Sequence, residues 1–191
     1  AQINAMSVDQ VQAFTSDNIK ALSAAQIKAL EVDDIAALST DQVAAIDPAD
    51  LSTLSTLQIQ ALGTQSIAAF SSDQVAALTT TQIRALDSNQ IQALSTDNVA
   101  SLSIQQIKAL DDIDVAAMST DQIGALNSDQ VKALSTKQIA ALQADQISAL
   151  GTDDIVALTT AQTKVLTADQ INAMSSDQIG ALETQDIARL S

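Results

Sequence analysis

The sequence predicts an all-α fold, a superhelical solenoid of 23 short helices with one helix of six or seven residues in each repeat. Three observations predict it. Residues 7–190 divide into 23 consecutive eight-residue units, or octads, without an insertion or deletion. Each octad opens with residues typical of a helix N-terminus. Each closes with aliphatic residues at fixed positions, so we expect residues 1–191 to form one octapeptide-repeat domain.

The start of each octad carries the signals of a helix start. With Ser39 as position 1 and Ile46 as position 8, position 1 is Ser, Thr, Asp or Asn in 18 of 23 octads. Position 4 is Gln in 15 octads, and Gln three residues after an N-cap completes a capping box. Position 3 is Asp in 12 octads, facing the positive end of the helix dipole. Pro48 at position 2 would occupy the first helical residue, where proline loses no hydrogen bond.

The pattern of apolar residues disfavours two alternative folds, a single long helix and a β-solenoid. Position 5 is Ile, Val or Leu in 22 octads, and position 8 is Leu in 18. In one long helix this pair would rotate by about 80° per octad, so no partner could bury it. A β-solenoid is disfavoured because Ala, Gln and Leu prefer helices and the octad lacks strict alternation.

The residue types at each octad position predict which positions face the core and which face solvent. Position 7 is Ala in 19 octads, so we expect positions 5, 7 and 8 to face an Ile, Leu and Ala core. Positions 2, 3 and 6 should face solvent. In the octad 159–166, Thr163 replaces the large residue and Val165 replaces the Ala, which conserves core volume. The pattern allows three or four helices per turn, and it does not fix the handedness.

Composition limits the classes of partner. The formal net charge is −15, which opposes binding to nucleic acid and to anionic membrane surfaces. No apolar run approaches the roughly 20 residues of a membrane span. There is no Cys and no His, so disulfides and imidazole chemistry are excluded. We therefore predict no enzyme, no catalytic residue, no bound metal and no cofactor.

Two kinds of residue were weighed as sites. The carboxylates of Asp111, Asp112 and Asp114 are the densest acidic cluster, but Ca²⁺ needs six or more oxygen ligands. We interpret them, like the Asp pairs 33–34 and 153–154, as caps and first-turn acids. Apolar residues at outward positions could mark a partner surface, but they are scattered. They are Val8, Val32, Leu57, Ile104 and Ile113.

The stretches Leu38–Ile46 and Leu78–Leu86 resemble the Leu-(Ser/Thr)-Thr-x-Gln-(Ile/Val)-x-Ala-Leu arrays of very large repetitive bacterial proteins. Those proteins are labelled adhesin-, haemagglutinin- or haem-utilisation-like. The resemblance covers the whole chain and implies export to the cell surface or the medium. It carries no site residues.

These observations lead to two functional expectations. The first is a structural segment, an elongated spacer or stalk of a large exported bacterial surface protein. The alternative is a scaffold that binds a protein or peptide through positions 2, 3 and 6. The chain opens inside an octad, so it is either a segment of a longer array or an array built from one. Its partners should be neighbouring repeats, and its exposed ends should self-associate end to end.

Overall fold

The computed structural model describes residues 2–182, so the predicted helix of octad 23 (residues 183–190) lies outside the described residues. The described part is built of short helices in tandem, with a 3₁₀ turn at Ile3–Ala5, and contains no β-strand. The predicted solenoid of short helices is therefore confirmed. Close contacts divide the chain into two compact units, residues 1–101 and residues 102–191.

The helices of the first unit are α1 (Val8–Gln12), α2 (Ser16–Lys20), α3 (Ala24–Lys28), α4 (Val32–Ala37), α5 (Thr40–Ala44), α6 (Pro48–Leu51), α7 (Thr56–Ala61), α8 (Thr64–Ala68), α9 (Ser72–Ala77), α10 (Thr80–Ala85), α11 (Ser88–Ala93) and α12 (Thr96–Ser101). Those of the second unit are α13 (Ile104–Ala109), α14 (Asp112–Ala117), α15 (Thr120–Gly124), α16 (Ser128–Ala133), α17 (Thr136–Ala141), α18 (Ala144–Ser148), α19 (Thr152–Ala157), α20 (Thr160–Thr163), α21 (Ala168–Ala173) and α22 (Ser176–Ala181).

Each helix begins at the predicted place. In α9 the Ser71 hydroxyl accepts a hydrogen bond from the backbone N–H of Gln74 at 3.2 Å. The Gln74 Oε1 accepts in return from the backbone N–H of Ser71 at 3.0 Å. These two bonds satisfy backbone donors that a helix start leaves free. Proline fits the same register, since Pro48 is the first residue of α6 and the Asp47 carboxylate caps it.

Thirteen of the 22 described α-helices have six residues, as predicted, and the other nine have four or five. A seven-residue helix would leave only the position-1 residue as the link, whereas every link between the described α-helices has at least two residues. After α9, both Leu78 (φ −60°, ψ 135°) and Thr79 (φ −70°, ψ 156°) are extended. The Leu78 N–H donates to the Val75 carbonyl three residues earlier, at 3.2 Å. That tight closing bond ends the helix before position 8, which therefore belongs to the link.

The core lies where the apolar pattern predicts it. Position-5 side chains from Val11 to Ile155 are 0–2% exposed, and position 8 is buried in every octad from Leu30 to Leu182. Most position-7 alanines are half-buried, while positions 3 and 6 are exposed with few exceptions. Thr163 is buried and its hydroxyl donates to the Thr159 carbonyl, while Val165 is half-buried. The unusual octad therefore keeps its place in the core.

The turn of each solenoid contains about three and a half octads. Within each unit, helices pack against the helix three positions along, as α4 does on α7 and α16 does on α19. Hydrogen bonds from a position-4 side chain reach back 28 residues to a position-8 carbonyl, as from Gln74 to Ile46. An offset of 28 residues equals 3.5 octads of eight residues. The expected range of three to four helices per turn brackets this value.

Candidate functional site

Position 4, whose predicted role is helix capping, also connects helices to the preceding turn. Gln42, at position 4, is 3% exposed. Its Oε1 accepts from the Ser39 backbone N–H at 2.8 Å. Its Nε2 donates to the carbonyl oxygens of Val11 at 3.0 Å and Phe14 at 2.8 Å, four octads earlier. One side chain therefore closes its own helix and ties that helix to the preceding turn.

The same arrangement recurs through both units. In each case a buried glutamine donates from Nε2 to the position-8 carbonyl 28 residues earlier, at 2.6–2.9 Å. We call this set the amide ladder. Its members are Gln42, Gln58, Gln74, Gln82 and Gln90 in the first unit and Gln130, Gln138, Gln146, Gln162, Gln170 and Gln178 in the second.

The chemistry of the ladder explains the choice of residue. A capping box accepts Glu or Gln equally well, because only the side-chain oxygen is used. The ladder also needs a donor, and an ionised carboxylate has none. Position 4 is never Glu in this sequence. The shorter Asn98 still reaches one carbonyl, that of Phe70, at 3.1 Å. The consistent choice of Gln over Glu was the signal in the sequence that could have revealed the ladder.

Asp50 interrupts the ladder in the first unit. It stands at position 4 of the proline octad, where a carboxylate replaces the carboxamide. Burial raises the pKa of Asp50 above its ordinary value, and the neighbouring Asp47 carboxylate raises it further. Both effects oppose ionisation of Asp50 in the folded protein. This octad is therefore a point at which charge disfavours the fold.

Ser66 makes a second gap. It is buried, yet neither a side-chain partner for its hydroxyl nor a side-chain acceptor for the Gly63 N–H is present among the described residues. The Leu38 carbonyl, 28 residues before Ser66, lacks the glutamine donor found at equivalent sites. An open groove of about 540 Å³ lies here, lined in part by Leu38, Gly63 and Ser66. The carboxamide that binds the equivalent carbonyl in the ladder octads is thus missing at Ser66.

Asp154 is a further position-4 residue without a carboxamide, in the second unit. Its carboxylate accepts from the Ser128 hydroxyl at 2.7 Å and from the Gly151 N–H at 3.1 Å. Hydrogen bonds therefore satisfy this buried carboxylate without any metal. Within residues 2–182, no group of three acidic, His or Cys residues is placed to hold a metal ion.

The residues weighed as a Ca²⁺ site do not converge. Asp111 precedes α14, Asp112 is its first residue, and both are exposed. Asp114 is buried at position 4, where other octads carry a ladder residue. The three carboxylates therefore belong to the start of one helix, and the structure does not bring them together as ligands.

The outward apolar residues fall into two groups. Leu57 (63% exposed), Ile113 (72%) and Val32 (41%) are exposed. Val8 and Ile104 are half-buried at position 2. Leu57 and Ile113 stand at position 3, but Val32 shares position 2 with Val8 and Ile104, so the octad position alone does not separate the two groups. Val156, a position-6 residue outside the predicted set, is also exposed (52%).

Comparison with known proteins identifies the repeat. The model of the ALTTAQ repeat matches residues 16–47, 43–80, 76–104, 107–144, 115–152 and 147–184. No curated protein matches the chain. None of the described helices combines the length and the apolar character needed to cross a bilayer.

The name of the repeat can be read directly on the structure. Ala157–Gln162 is Ala-Leu-Thr-Thr-Ala-Gln, octad positions 7 to 4 of the next octad. In that segment Leu158 is a core residue, Thr159 is a helix cap and Gln162 belongs to the amide ladder. The matches cover well over half of the sequence, and the chain belongs to the ALTTAQ repeat family.

Proposed function

We propose that the chain is a spacer within a large exported bacterial surface protein, with no catalytic role. The observation that carries the proposal is the amide ladder. It uses the polar groups of the interior to join one turn of the repeat to the next, so adding octads extends the structure by the same bonds. The outward positions carry mainly small polar side chains. Export to the cell surface rests on the resemblance to the large repetitive bacterial proteins.

The spacer proposal makes a measurable claim about length. A tandem duplicate of the chain, joined with the octad register preserved, should have roughly twice the maximum dimension of the single chain and the same cross-section. A compact globule of doubled mass would grow only about 1.26-fold in diameter. Small-angle X-ray scattering on dilute samples of both proteins separates the two results. A growth near 1.26-fold would rule out the spacer.

A binding scaffold is the second candidate, and one observation favours it. The Ser16 hydroxyl donates to the Asp41 carbonyl, a contact between position 2 and position 3 of the octad three further on. Val32 and Leu57 have the same offset of 25 residues and lie on α4 and α7, which pack together. By this analogy we expect the two exposed apolar side chains to lie near each other on the surface. Because the site is a single pair, the spacer remains our preferred function.

The two candidates predict different responses to one variant. Replacing Val32 and Leu57 by threonine leaves the core and the ladder unchanged. A spacer keeps the anchoring and the reach of the surface protein in which it stands. A scaffold loses its partner, which an adhesion or pull-down assay on cells carrying the altered protein would detect.

A further inference from the structure

The octad 63–70 lacks both side chains of a capping box. Its position 1 is Gly63, and its position 4 is Ser66, the only serine at that position in the sequence. A Cβ added at Gly63 would meet nothing within 4 Å. At Gly151, the other position-1 glycine, an added Cβ would lie 3.2 Å from the Asp154 carboxylate. The place that a position-4 side chain fills beside Gly151 is therefore open beside Gly63.

Three polar groups line this opening without a partner among the described residues. The Ser66 side chain is only 7% exposed, and its hydroxyl makes no hydrogen bond there. The Gly63 N–H lacks a side-chain acceptor, and the Leu38 carbonyl lacks a side-chain donor. In the ladder octads one glutamine supplies both, as Gln42 does with its Oε1 and its Nε2. The groove therefore presents one donor, one acceptor and one hydroxyl that can act as either.

We propose that this groove binds the primary carboxamide of a ligand, the group that ends a glutamine or asparagine side chain. The ligand oxygen accepts from the Gly63 N–H, and the ligand nitrogen donates to the Leu38 carbonyl. The short Ser66 side chain leaves the room for this group, and its hydroxyl adds a hydrogen bond. A carboxylate can accept from the Gly63 N–H, but it has no hydrogen to donate to the Leu38 carbonyl. The groove therefore selects amides over acids.

The groove has the size and the open rim that such a ligand needs. Its volume of about 540 Å³ falls within the range of small-molecule sites, roughly 300–1,000 Å³. Its lining includes the small polar residues Ser39, Thr40 and Thr64, and Gly63 places no side chain across the entrance. All of its lining residues lie between residues 36 and 66, inside the first unit. The site is additional to the spacer role, which requires no ligand.

Titration of the ¹⁵N-labelled full chain with acetamide tests the proposal, with the backbone amide resonance of Gly63 as the readout. A ligand with so few atoms binds weakly, so we expect a saturable shift with half-saturation at roughly 1–100 mM. N-acetyl-glutamine methylamide carries the same group on a side chain and should saturate the same resonance. Half-saturation at a lower concentration than acetamide would identify a peptide side chain as the better source, and the reverse order would identify a small free amide.

Matched controls separate the amide site from weaker effects. Acetate and N,N-dimethylacetamide have no N–H to donate, so neither should give a saturable shift. Ser66→Gln places the protein's own carboxamide in the groove and should abolish the response to acetamide. Ser176→Gln adds the same side chain at an exposed position of the second unit and should leave the response unchanged. A shift that rises linearly with acetamide, an equal response in Ser66→Gln, or acetate binding as tight as that of acetamide would overturn the proposal.

Discussion

Replacing Gln74 by glutamate tests the amide ladder with the smallest change in shape. Gln74 is 2% exposed, and its Nε2 donates to the carbonyls of Val43 at 3.0 Å and Ile46 at 2.8 Å. Glutamate keeps the oxygen that accepts from the Ser71 N–H. It loses both donated bonds and places a negative charge against two carbonyl oxygens.

The expected loss of stability depends on whether each carbonyl keeps another hydrogen-bond donor. The Ile46 carbonyl has no other donor among the described residues, so its loss costs about 1–3 kcal/mol. The Val43 carbonyl keeps the bond from the Ile46 N–H, so it loses about 0.5–1.5 kcal/mol. Including the cost of a buried charge, we expect Gln74→Glu to lower the free energy of unfolding by about 3–4 kcal/mol at pH 7.

The effect should depend on pH with a predictable sign. Burial and the carbonyls raise the pKa of the new glutamate in the folded protein above its unfolded value. The protonated acid can donate to a carbonyl again, so the deficit should be smallest below the unfolded pKa, near about 4. It should grow as the pH rises through the folded pKa. Urea denaturation followed by circular dichroism, at pH 7 and at a pH below about 4, measures the difference in the free energy of unfolding between the variant and the native protein.

Gln26→Glu is the matched control. Gln26 also caps its own helix, through the Ser23 N–H at 2.9 Å, but it is exposed and donates to no earlier turn. In dilute solution this variant should change the free energy of unfolding by less than about 0.5 kcal/mol. If Gln74→Glu were equally mild at pH 7, the ladder would not hold the turns together.

Four further substitutions concern single positions. Ser66→Gln should raise the free energy of unfolding by about 1–2 kcal/mol, because the longer amide can accept from the Gly63 N–H and donate to the carbonyl that lacks a donor; a lower denaturation midpoint would contradict this. Gly180→Ala should gain about 1 kcal/mol of helix propensity, since nothing lies within 4 Å of its added Cβ. Gly124→Ala should gain less in the same melting experiment, because its Cβ would lie 3.1 Å from a backbone carbonyl. Asp50→Asn should stabilise the protein at pH 7 and lose that advantage at pH 3, because the raised pKa of Asp50 makes its ionised form costly only above that pKa; a pH-independent gain in melting temperature would refute the charge argument.

The sequence predicted the local structure well because local structure depends on neighbours in the chain. Ser71 and Gln74 are three residues apart, so their reciprocal bonds follow from spacing alone. Position-5 burial, as at Val75, follows from the period of the apolar residues. The two-residue link was missed because Leu78 looks helical by propensity, while a tight closing bond makes it extended.

The long-range bonds were harder to predict. Gln74 meets Ile46 only because the solenoid closes a turn in 28 residues, and the octad pattern fixes no such number. The sequence of one octad is compatible with either three or four helices per turn. The absence of Glu from position 4 was the clue to these bonds. A carbonyl that needs a hydrogen-bond donor favours the amide over the acid.

Nuclear Overhauser contacts from the Gln74 side-chain amide test the account most directly. With ¹⁵N-labelled glutamine, we expect cross-peaks from the Gln74 Nε2 protons to Val43 and Ile46, four octads earlier, and slow exchange of those protons with solvent. Gln60, at an exposed outward position, should exchange rapidly. If the Gln74 amide showed contacts only within residues 71–78, and exchanged as fast as that of Gln60, the amide ladder would be wrong.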